Sequence, residues 1–545
     1  MTQTAKETPA ELRVAREVAA AFKRNGVPYL FGIPGGGSSI DLIEACRDEG
    51  IPFVLTQHET TAALMAVVCG ELTGSCGACI SIMAPGAANL TGGAAYAFLE
   101  RHPLLCITEC YGSEAGVRMT LQKIDHPATF ASTCKASVTI GSHGAGSQID
   151  GAIRLASAER PGPVHVDFPL DVAPAELVDQ GGSPLDGAIE GDLEAIAAAV
   201  DRAKKPVLIA GPVVVRQGAQ DRLLELAEKL QMAVMPTSKA RGVVPEDHPL
   251  YAGVMSGVYR EDTLEGDLMG RSDLVLAVGL DRAELLSPWR YTHRIVALDA
   301  VRVPDDERLG EPEATATGPL GDLLGRLTAI VTARATWDAS ELRDYWEGAL
   351  AALGAYRTDL NAASALVRAR EQAPRDTIVT TEAGVYGRVN LYAWKVYGPD
   401  TYFDSSGANT MGFSIPAGMA ASLVRPEQKT VSLVGDGGFL MRAGELETAA
   451  RLGLSPVIVI FDDGTLGMIR VKQRAKGYAR EGVDLRQTDF VRLAESFGGA
   501  GHEVHTLDQF DTAFKAALES DRLSVIDVRV DPEAYLAHVL PIRGL

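Results

Sequence analysis

Runs of apolar residues alternate with amphipathic stretches along the whole chain. An amphipathic stretch at 11–24 precedes the apolar run PYLFGI (28–33), and a further amphipathic stretch separates that run from PFVLT (52–56). Buried parallel strands appear in sequence as continuous apolar runs, whereas helices place an apolar residue every three or four positions. The alternation therefore predicts an α/β protein with doubly wound, largely parallel sheets covered by helices.

The alternation falls into three blocks. A segment rich in Gly, Asp and Pro at 178–192 resembles a linker, and a helix at 338–353 resembles a second one. We therefore predict three domains, each with its own sheet, at residues 1–180, 190–335 and 355–545.

The composition narrows the classes of function. Of the 545 residues, 46% are hydrophobic and 22% charged, which is typical of a soluble globular chain. The net charge of −20 argues against a nucleic-acid-binding surface, because phosphate binding needs clustered Lys and Arg. No apolar run reaches the roughly 20 residues of a membrane span, and the N-terminal stretch lacks a secretory apolar core. We expect a cytoplasmic protein without nucleic-acid or membrane partners.

All seven cysteines fall in the first 134 residues. Cys76 and Cys79 could be redox-active, or could form half of a metal site with Cys106 and Cys110. The interpretation we favour is that these are small apolar residues packed at strand starts. An odd number of cysteines without an export signal fits reduced thiols.

The most informative stretch is 431–468, which reads as a strand, a glycine-rich turn, an amphipathic helix and a second strand. Asp436 and Asp463 lie 27 residues apart, each just past the carboxyl end of a strand, where open parallel sheets bind ligands. Glycines let the turn bend sharply and leave amide N–H groups free at a helix N-terminus, which favours phosphate. These glycines are Gly435, Gly437 and Gly438.

Two carboxylates beside a phosphate site indicate a hard divalent cation such as Mg²⁺. The alternative is an ordinary strand–turn–helix unit with acidic residues at the helix starts. The glycine turn alone would not decide between them, but its spacing from the second acidic turn favours the metal site.

The stretch resembles the cofactor motif of thiamine-diphosphate enzymes, which begins Gly-Asp-Gly and ends, one helix and one strand later, in Asn-Asn. The last two positions here are Asp462 and Asp463, and Asp is also an oxygen ligand. The resemblance implies that Asp436 and Asp463 bind Mg²⁺ through their side chains and Thr465 through its carbonyl. Some flavin-independent acetolactate synthases look similar, with an acidic residue at the second position.

Two further segments extend this resemblance within the third block. Gly384-Val385-Tyr386 stands where relatives often carry Gly-Gln-His against the diphosphate, and Gly467-Met468 continues the metal motif. Residues 405–413 resemble the family's SGLGTMGFG segment. The resemblance implies that the Asn409 carbonyl accepts a hydrogen bond from the cofactor's 4′-amino group. It also implies that Met411 is the apolar wedge that forces the cofactor to bend.

The first block carries the implied substrate side of the site. Glu59 matches the family's glutamate that binds N1′ of the cofactor's aminopyrimidine. The loop Gly35-Gly36-Gly37 resembles one that borders the substrate, and Gln122 matches a glutamine that reaches the reaction centre. Because one chain supplies the glutamate and another holds the cofactor, the resemblance implies a homodimer or homotetramer with its active site at the chain interface.

In flavin-carrying relatives the middle domain holds FAD, aided by an arginine-containing segment after a strand. Here that segment is 278–283, where the arginine is displaced to Arg282 and an acidic pair is absent. We therefore expect no FAD.

A basic run follows the metal motif at 470–476, with cations at alternate positions: Arg470, Lys472, Arg474 and Lys476. It fits a solvated helix face and equally a mobile lid that attracts an anionic substrate.

The resemblance implies decarboxylation of a 2-oxo acid, after which the acyl unit is protonated, oxidised or joined to a second carbonyl. Decarboxylase-type relatives carry either a His-His pair in the first domain or a histidine in the loop that precedes the position of Asn89. This sequence has no His-His pair, and residues 81–89 contain no histidine. We therefore predict a carboligase similar to acetolactate synthase. The alternatives are a simple decarboxylase that releases an aldehyde and a non-catalytic binding or regulatory subunit.

Overall fold

A computed structural model describes residues 10–112, 119–141, 143–169, 189–285, 289–303 and 310–543. These residues form three six-stranded sheets flanked by helices, which confirms the predicted fold class. No helix among the described residues is long and apolar enough to cross a lipid bilayer.

The first sheet is parallel throughout, in the order β2-β1-β3-β4-β6-β5. Its strands are β1 Leu30–Ile33, β2 Phe53–Leu55, β3 Gly77–Ser81, β4 Leu104–Cys110, β5 Ser137–Thr139 and β6 Pro163–Pro169. Its helices are α1 Ala10–Arg24, α2 Ser38–Asp48, α3 Glu59–Thr73, α4 Gly86–Leu99, α5 His126–Phe130 and α6 Ala145–Ser157. The central strands are buried on both faces, as their continuous apolar runs predicted.

The second sheet has the order β7-β12-β11-β10-β8-β9, and only the edge pair β7 and β12 is antiparallel among the described strands. Its strands are β7 Glu190–Gly191, β8 Pro206–Ala210, β9 Ala233–Pro236, β10 Leu274–Val278, β11 Arg294–Asp299 and β12 Ala314–Thr317. Its helices are α7 Leu193–Arg202, α8 Pro212–Arg216, α9 Gln220–Leu230, α10 Leu264–Gly270 and α11 Leu320–Ile330, with 3₁₀ turns at Ser238–Ala240 and Arg282–Glu284. α12 (Ala339–Ala352) follows at the position of the predicted connecting helix, capped by the Asp338 side chain.

The third sheet is parallel, in the order β14-β13-β15-β16-β18-β17. Its strands are β13 Ile378–Thr380, β14 Tyr402–Phe403, β15 Thr430–Gly435, β16 Val457–Asp462, β17 Ala500–Val504 and β18 Ser524–Arg529. Its helices are α13 Ala362–Gln372, α14 Val385–Ala393, α15 Ser414–Val424, α16 Asp436–Leu440, α17 Glu445–Arg451, α18 Gly467–Ala475, α19 Phe490–Ser496, α20 Leu507–Glu519 and α21 Tyr535–Arg543, with a 3₁₀ turn at Pro532–Ala534.

The described residues divide into two compact units. One contains the first sheet and residues 419–426, and the other contains the second and third sheets. Within the second unit, Arg241 follows β9 and is fully buried in an ion pair with Glu246. Its guanidinium also donates to the Trp394 carbonyl, and Glu246 accepts from the Val396 amide at 3.0 Å. This pair therefore ties the second sheet's connecting loops to the end of α14.

Two local expectations differ from the structure. The amphipathic helix expected after Asp436 is two short helices, α16 and α17, with a turn at 441–444 where the Arg442 side chain reaches the Gly412 carbonyl at 3.4 Å. The linker predicted at 178–192 lies mostly outside the described residues, and its last residues form the edge strand β7 instead.

Candidate active site

A cavity of about 710 Å³ lies at the carboxyl edge of the third sheet. The loops after β13, β15 and β16 line it, and β13 and β15 flank the point where the strand order reverses. Open α/β sheets bind ligands at such a point. The cavity wall holds every cofactor and metal residue predicted in the third domain: Gly384, Val385, Tyr386, Asn409, Met411, Gly435, Asp436, Gly437, Gly438, Asp463, Thr465, Gly467 and Met468.

Asp436 begins α16 and is almost fully buried. Its Oδ1 accepts from the Gly437 amide at 2.8 Å, and its Oδ2 accepts from the Gly464 amide at 2.9 Å. Burial, followed by the nearby Asp463 and Asp462 carboxylates, raises the pKa of Asp436 to about 8. A divalent cation would relieve this clustering of negative charge.

Asp463 is held in place by Thr465, two residues later in the chain. Its Oδ1 accepts from the Thr465 amide at 2.8 Å and from the Thr465 hydroxyl at 2.6 Å. Burial raises the pKa of Asp463 as well. The structure therefore places Asp436, Asp463 and Thr465 in the wall of the same cavity.

Asp462 is tied to the neighbouring strand. Its Oδ2 accepts a hydrogen bond from Arg529 on β18, which lies in register with it. Arg529 also pairs with Asp527 at 2.7 Å and with Glu503 at 3.0 Å. The acidic residue at the family's first Asn position is therefore neutralised by a cation that no sequence motif indicated.

The turn glycines are needed for close packing. The backbones of Gly435, Gly437 and Gly438 all lie outside the left-handed region. The turn therefore does not depend on glycine's freedom to adopt a positive φ. A Cβ on Gly438 would overlap Glu382 Oε1, and a Cβ on Gly437 would lie 2.9 Å from Leu466 Cδ2. Their value is the missing side chain, which lets other groups approach the backbone.

Glu382 is a buried cavity residue that the sequence did not single out. Its Oε2 accepts from the Ser414 amide at 3.1 Å, whereas its Oε1 has no hydrogen-bond partner among the described residues. Burial raises the pKa of Glu382 to about 7. It therefore supports the start of α15, just after the segment that carries Asn409 and Met411.

Asn409 has a left-handed backbone with φ of 50°, a conformation that Asn tolerates better than most residues. Its Nδ2 donates to the Ser406 carbonyl at 3.0 Å, and its Oδ1 accepts from Arg388 at 2.8 Å. Met411 stands beside it in the cavity wall, with Cε 3.4 Å from where a Cβ on Gly437 would be.

In the first unit, Glu59 is the first residue of α3 and is almost fully buried. Its Oε2 accepts from Asn89 Nδ2 at 3.0 Å, and the Asn89 carbonyl accepts from the Thr60 hydroxyl at 2.6 Å. Asn89 in the first turn of α4 therefore holds the glutamate in one orientation.

The Gly35-Gly36-Gly37 loop is organised by Glu109, a buried residue near the end of β4. Glu109 Oε1 accepts from the Gly37 amide at 3.1 Å and from the Ser39 amide at 2.9 Å. A Cβ on Gly35 would overlap Glu109 Oε2. Glu109 was not predicted from the sequence, because no motif near it in the chain indicates that it contacts the loop at 35–39.

Gln122 lies in a turn with a left-handed φ of 54°. Three residues later, the Asp125 side chain caps α5 by accepting from the Ala128 amide at 3.0 Å. His126, the first residue of α5, bonds to Asp167 at 2.7 Å through Nδ1. The segment that carries Gln122 is therefore anchored at its carboxyl end.

The cysteines lie within the packed first unit. Six are buried and Cys110 is half-buried, and burial raises the pKa of Cys46, Cys69 and Cys76 to about 12. Among the described residues, one group of three His, Cys, Asp or Glu side chains has its ligand atoms within 4.8 Å of one another; it consists of His126, His165 and Asp167 and contains no cysteine. The thiols fit the packing interpretation.

The basic run divides by role. Arg470 and Arg474 both pair with Glu533, whereas Lys472 is exposed and lines the cavity. Lys476 lies 5.7 Å from the Tyr478 ring centroid. The run is therefore neither a wholly solvated helix face nor a segment whose four cations all face the cavity.

Three family descriptions match the chain in order. The N-terminal thiamine pyrophosphate binding domain matches residues 12–129, the central domain of such enzymes matches 193–317, and the C-terminal binding domain matches 382–528. An acetolactate synthase of Bacillus subtilis is 30% identical over 97% of this chain and 96% of its own. The chain belongs to the thiamine pyrophosphate enzyme family.

Other members of the family differ in reaction. A probable 2-ketoarginine decarboxylase of Pseudomonas aeruginosa is 29% identical over 92% of this chain and 91% of its own. The solved structure of the thiamine diphosphate-dependent 4-hydroxybenzoylformate decarboxylase of Rhodococcus jostii RHA1 superposes with a TM-score of 0.79. It is 24% identical and covers 95% of this chain and 99% of its own, so it shows a shared fold. The family is established, and the reaction is a separate question.

Proposed function

We propose that this thiamine-diphosphate enzyme decarboxylates a 2-oxo acid with Mg²⁺ and joins the remaining acyl unit to a second carbonyl compound. The observation that carries the proposal is the cavity that combines Asp436, Asp463 and Thr465 with Asn409 and Met411. The identity to an acetolactate synthase supports coupling over simple decarboxylation.

The residues present fit the cofactor and the ion. Asp436 and Asp463 would hold Mg²⁺ by carboxylate oxygens, and the ion would favour their charged forms, which burial disfavours. The backbone amides of the glycine turn at the start of α16 would bind the diphosphate. Bound thiamine diphosphate supplies a carbon nucleophile for the 2-oxo carbonyl and an electron sink for the loss of CO₂.

The protein's own groups would set the geometry. The Asn409 carbonyl and Met411 would orient the aminopyrimidine, and Glu59 would share a proton with its ring nitrogen. In the family, the glutamate that matches Glu59 comes from one chain and the loops that hold the cofactor come from another. The proposal therefore includes a homodimer. The altered 278–283 segment supports the further expectation that the purified protein lacks flavin absorbance.

The test is product analysis. We expect the protein loaded with thiamine diphosphate and Mg²⁺ to release CO₂ from a 2-oxo acid and to form a coupled hydroxy-keto product, detected by mass spectrometry. Free aldehyde without any coupled product would refute the carboligase and support the decarboxylase, which the Pseudomonas relative favours. Tight cofactor binding without CO₂ release from any 2-oxo acid would refute both the carboligase and the decarboxylase hypotheses.

The shared site has its own test. Chains carrying Glu59→Gln and chains carrying Asp436→Asn should each be inactive. If one chain completes the site of another, co-refolding equal amounts should restore about a quarter of the activity, because half the dimers are mixed and one site in each is intact. No recovery in mixed dimers, confirmed by mass spectrometry, would contradict the proposal.

A further inference from the structure

Glu109 is a buried carboxylate of the first unit that has no part in the proposed reaction. Its Oε1 accepts from the Gly37 amide at 3.1 Å, from the Ser39 amide at 2.9 Å and from the Ser39 hydroxyl at 2.5 Å. Among the described residues, no basic side chain lies within 4.0 Å of it. A buried charge is costly unless hydrogen bonds or a cation compensate it, so these three donors stabilise it.

The donors lie at the start of α2. Gly37 is the residue that precedes the helix, and it has no side chain with which to cap the helix. Glu109, on β4, supplies the missing acceptor from 70 residues away. A helix N-terminus favours a negative charge, because its first amides are free to donate. The carboxylate therefore fixes where the glycine loop ends and α2 begins.

The same contacts extend back to Gly35. The Gly35 amide donates to Ser39 Oγ at 2.9 Å, and the Ser39 hydroxyl in turn bonds to Glu109. Glu109 Oε2 lies only 2.1 Å from the position that a Cβ of Gly35 would occupy. The loop backbone therefore packs directly against the carboxylate, in a space that only glycine leaves open.

Ile82, just after β3, connects this loop to Glu59. Its Cγ1 lies 2.8 Å from the Cβ position of Gly35, and its Cγ2 lies 2.8 Å from the Cβ position of Gly86. Glu59 Oε1 lies 3.0 Å from that same point on Gly86, and this is the oxygen that does not bond to Asn89. Ile82 thus packs between the glycine loop and this oxygen. An apolar side chain beside a carboxyl group excludes water and strengthens the hydrogen bonds that the group makes.

We propose that Glu109 is a positioning residue for Glu59: it holds the glycine loop, and the loop holds Ile82 against the Glu59 site. This assignment rests on the proposed function, in which Glu59 shares a proton with the cofactor's ring nitrogen. Without the Glu109 carboxylate, the loop would lose its acceptor, Ile82 would lose its support, and water would reach Glu59.

The first test measures amide hydrogen exchange by mass spectrometry in the protein without cofactor or metal. Glu109→Ala should speed exchange by about 10-fold or more both at 35–42 and at 82–89. Glu109→Gln should stay close to wild type, because its amide oxygen can accept the same three hydrogen bonds. Gly35→Ala should reproduce the alanine result from the loop side, since its Cβ displaces both Glu109 and Ile82. In Gly36→Ala the new Cβ meets no atom within 4 Å, and exchange at 82–89 should be unchanged.

The second test measures exchange of the C2 proton of bound thiamine diphosphate by NMR. Glu109→Ala should slow it by about 10- to 100-fold, as for a displaced catalytic group, and Glu109→Gln should restore most of the rate. The dissociation constant for thiamine diphosphate should change little, because the metal and diphosphate residues belong to the third sheet. Glu44→Gln, which removes a charge from the exposed side of α2, should behave as wild type in both measurements.

The two measurements together decide the proposal. Faster amide exchange confined to 35–42, with a wild-type rate at C2, would overturn it and leave Glu109 a role in the loop alone. A slow rate at C2 with wild-type amide exchange at 82–89 would also overturn it, since the effect would not pass through Ile82. If Glu109→Ala fails to fold, Gly35→Ala decides between the same outcomes. Wild-type protein whose bound cofactor exchanges no C2 proton would instead refute the proposed function.

Discussion

Asp462 and Arg529 lie opposite each other on adjacent parallel strands, and the Arg529 guanidinium donates to the Asp462 carboxylate. Both side chains are largely buried. The pair explains how the chain tolerates three neighbouring aspartates, of which Asp436 and Asp463 line the cavity. Asp462 is neutralised from the neighbouring strand, which leaves Asp436 and Asp463 for a metal ion.

Arg529→Met should destabilise the protein by roughly 3 kcal/mol, because it leaves buried carboxylates on Asp462 and Asp527 without a cation. The measurement is the shift of the urea unfolding transition. Adding Asp462→Asn to this variant should recover part of the loss. Arg492→Met, which breaks an exposed pair with Asp489, should cost less than about 1 kcal/mol, and an equal loss in both variants would contradict the prediction.

The affinity for Mg²⁺ should rise with pH up to about 8. Burial and the neighbouring carboxylates raise the pKa of Asp436 to about 8, and the ion needs the deprotonated form. Affinity should therefore gain up to about tenfold per pH unit between about 6 and 8 and then level off. Calorimetric titrations in two buffers should show proton release on binding. Binding without proton release at pH 7 would be inconsistent with this prediction.

The same carboxyl group makes the metal-free protein sensitive to alkali. Its folded pKa lies above its unfolded value, so its contribution to stability is complete below about pH 4 and is lost as pH rises through about 8. Thermal unfolding of the metal-free protein should show this decline. Asp436→Asn should flatten it, and a decline of the same size in that variant would assign it to other groups.

Glu59→Gln should bind thiamine diphosphate nearly as wild type does, because the amide keeps the shape of the side chain and can still bond to Asn89. It cannot share a proton with the aminopyrimidine, so exchange of the cofactor's C2 proton should slow by about 100-fold or more. Exchange is measured by NMR after quenching in heavy water. Glu71→Gln, at the other end of α3, should exchange normally, and wild-type exchange in Glu59→Gln would disprove the role.

Gly438→Ala should weaken binding of thiamine diphosphate and Mg²⁺ by roughly 10- to 100-fold, because the new Cβ overlaps Glu382 and displaces the start of α16. Fluorescence titration provides the measurement. Gly348→Ala in α12 is a matched control, since no atom lies within 4 Å of its Cβ position. That control should be neutral or stabilising by up to about 1 kcal/mol. Equal affinities in the two variants would rule out the packing argument.

The parts of the site that depend on local pattern could be predicted from the sequence. Asp436 and Asp463 each follow an apolar strand, and adjacent parallel strands bring their carboxyl ends together. Gly384 and Met411 were predicted as site residues because the motifs that identify them lie within a few residues of them in the chain. The alternation of strands and helices was enough for the fold class.

The supporting residues could not be predicted, because their partners are distant in sequence. Glu382 bonds to the Ser414 amide 32 residues away, and Glu109 reaches Ser39 across 70 residues. Arg529 meets Asp462 across 67 residues, through strand register alone. The turn glycines were predicted for a sharp turn with free amide groups, and the close approach of Glu382 and Leu466 to Gly438 and Gly437 could not be predicted from the sequence.

The buried pair of Arg241 and Glu246 bears on whether the middle block is a separable module. Deleting the middle block would strip partners from the Trp394 carbonyl and the Val396 amide, which belong to the third block. Removing the middle block would therefore leave buried backbone groups of the third block without partners, so the two blocks are not separable modules. This packing role of the middle block does not depend on whether it binds a cofactor.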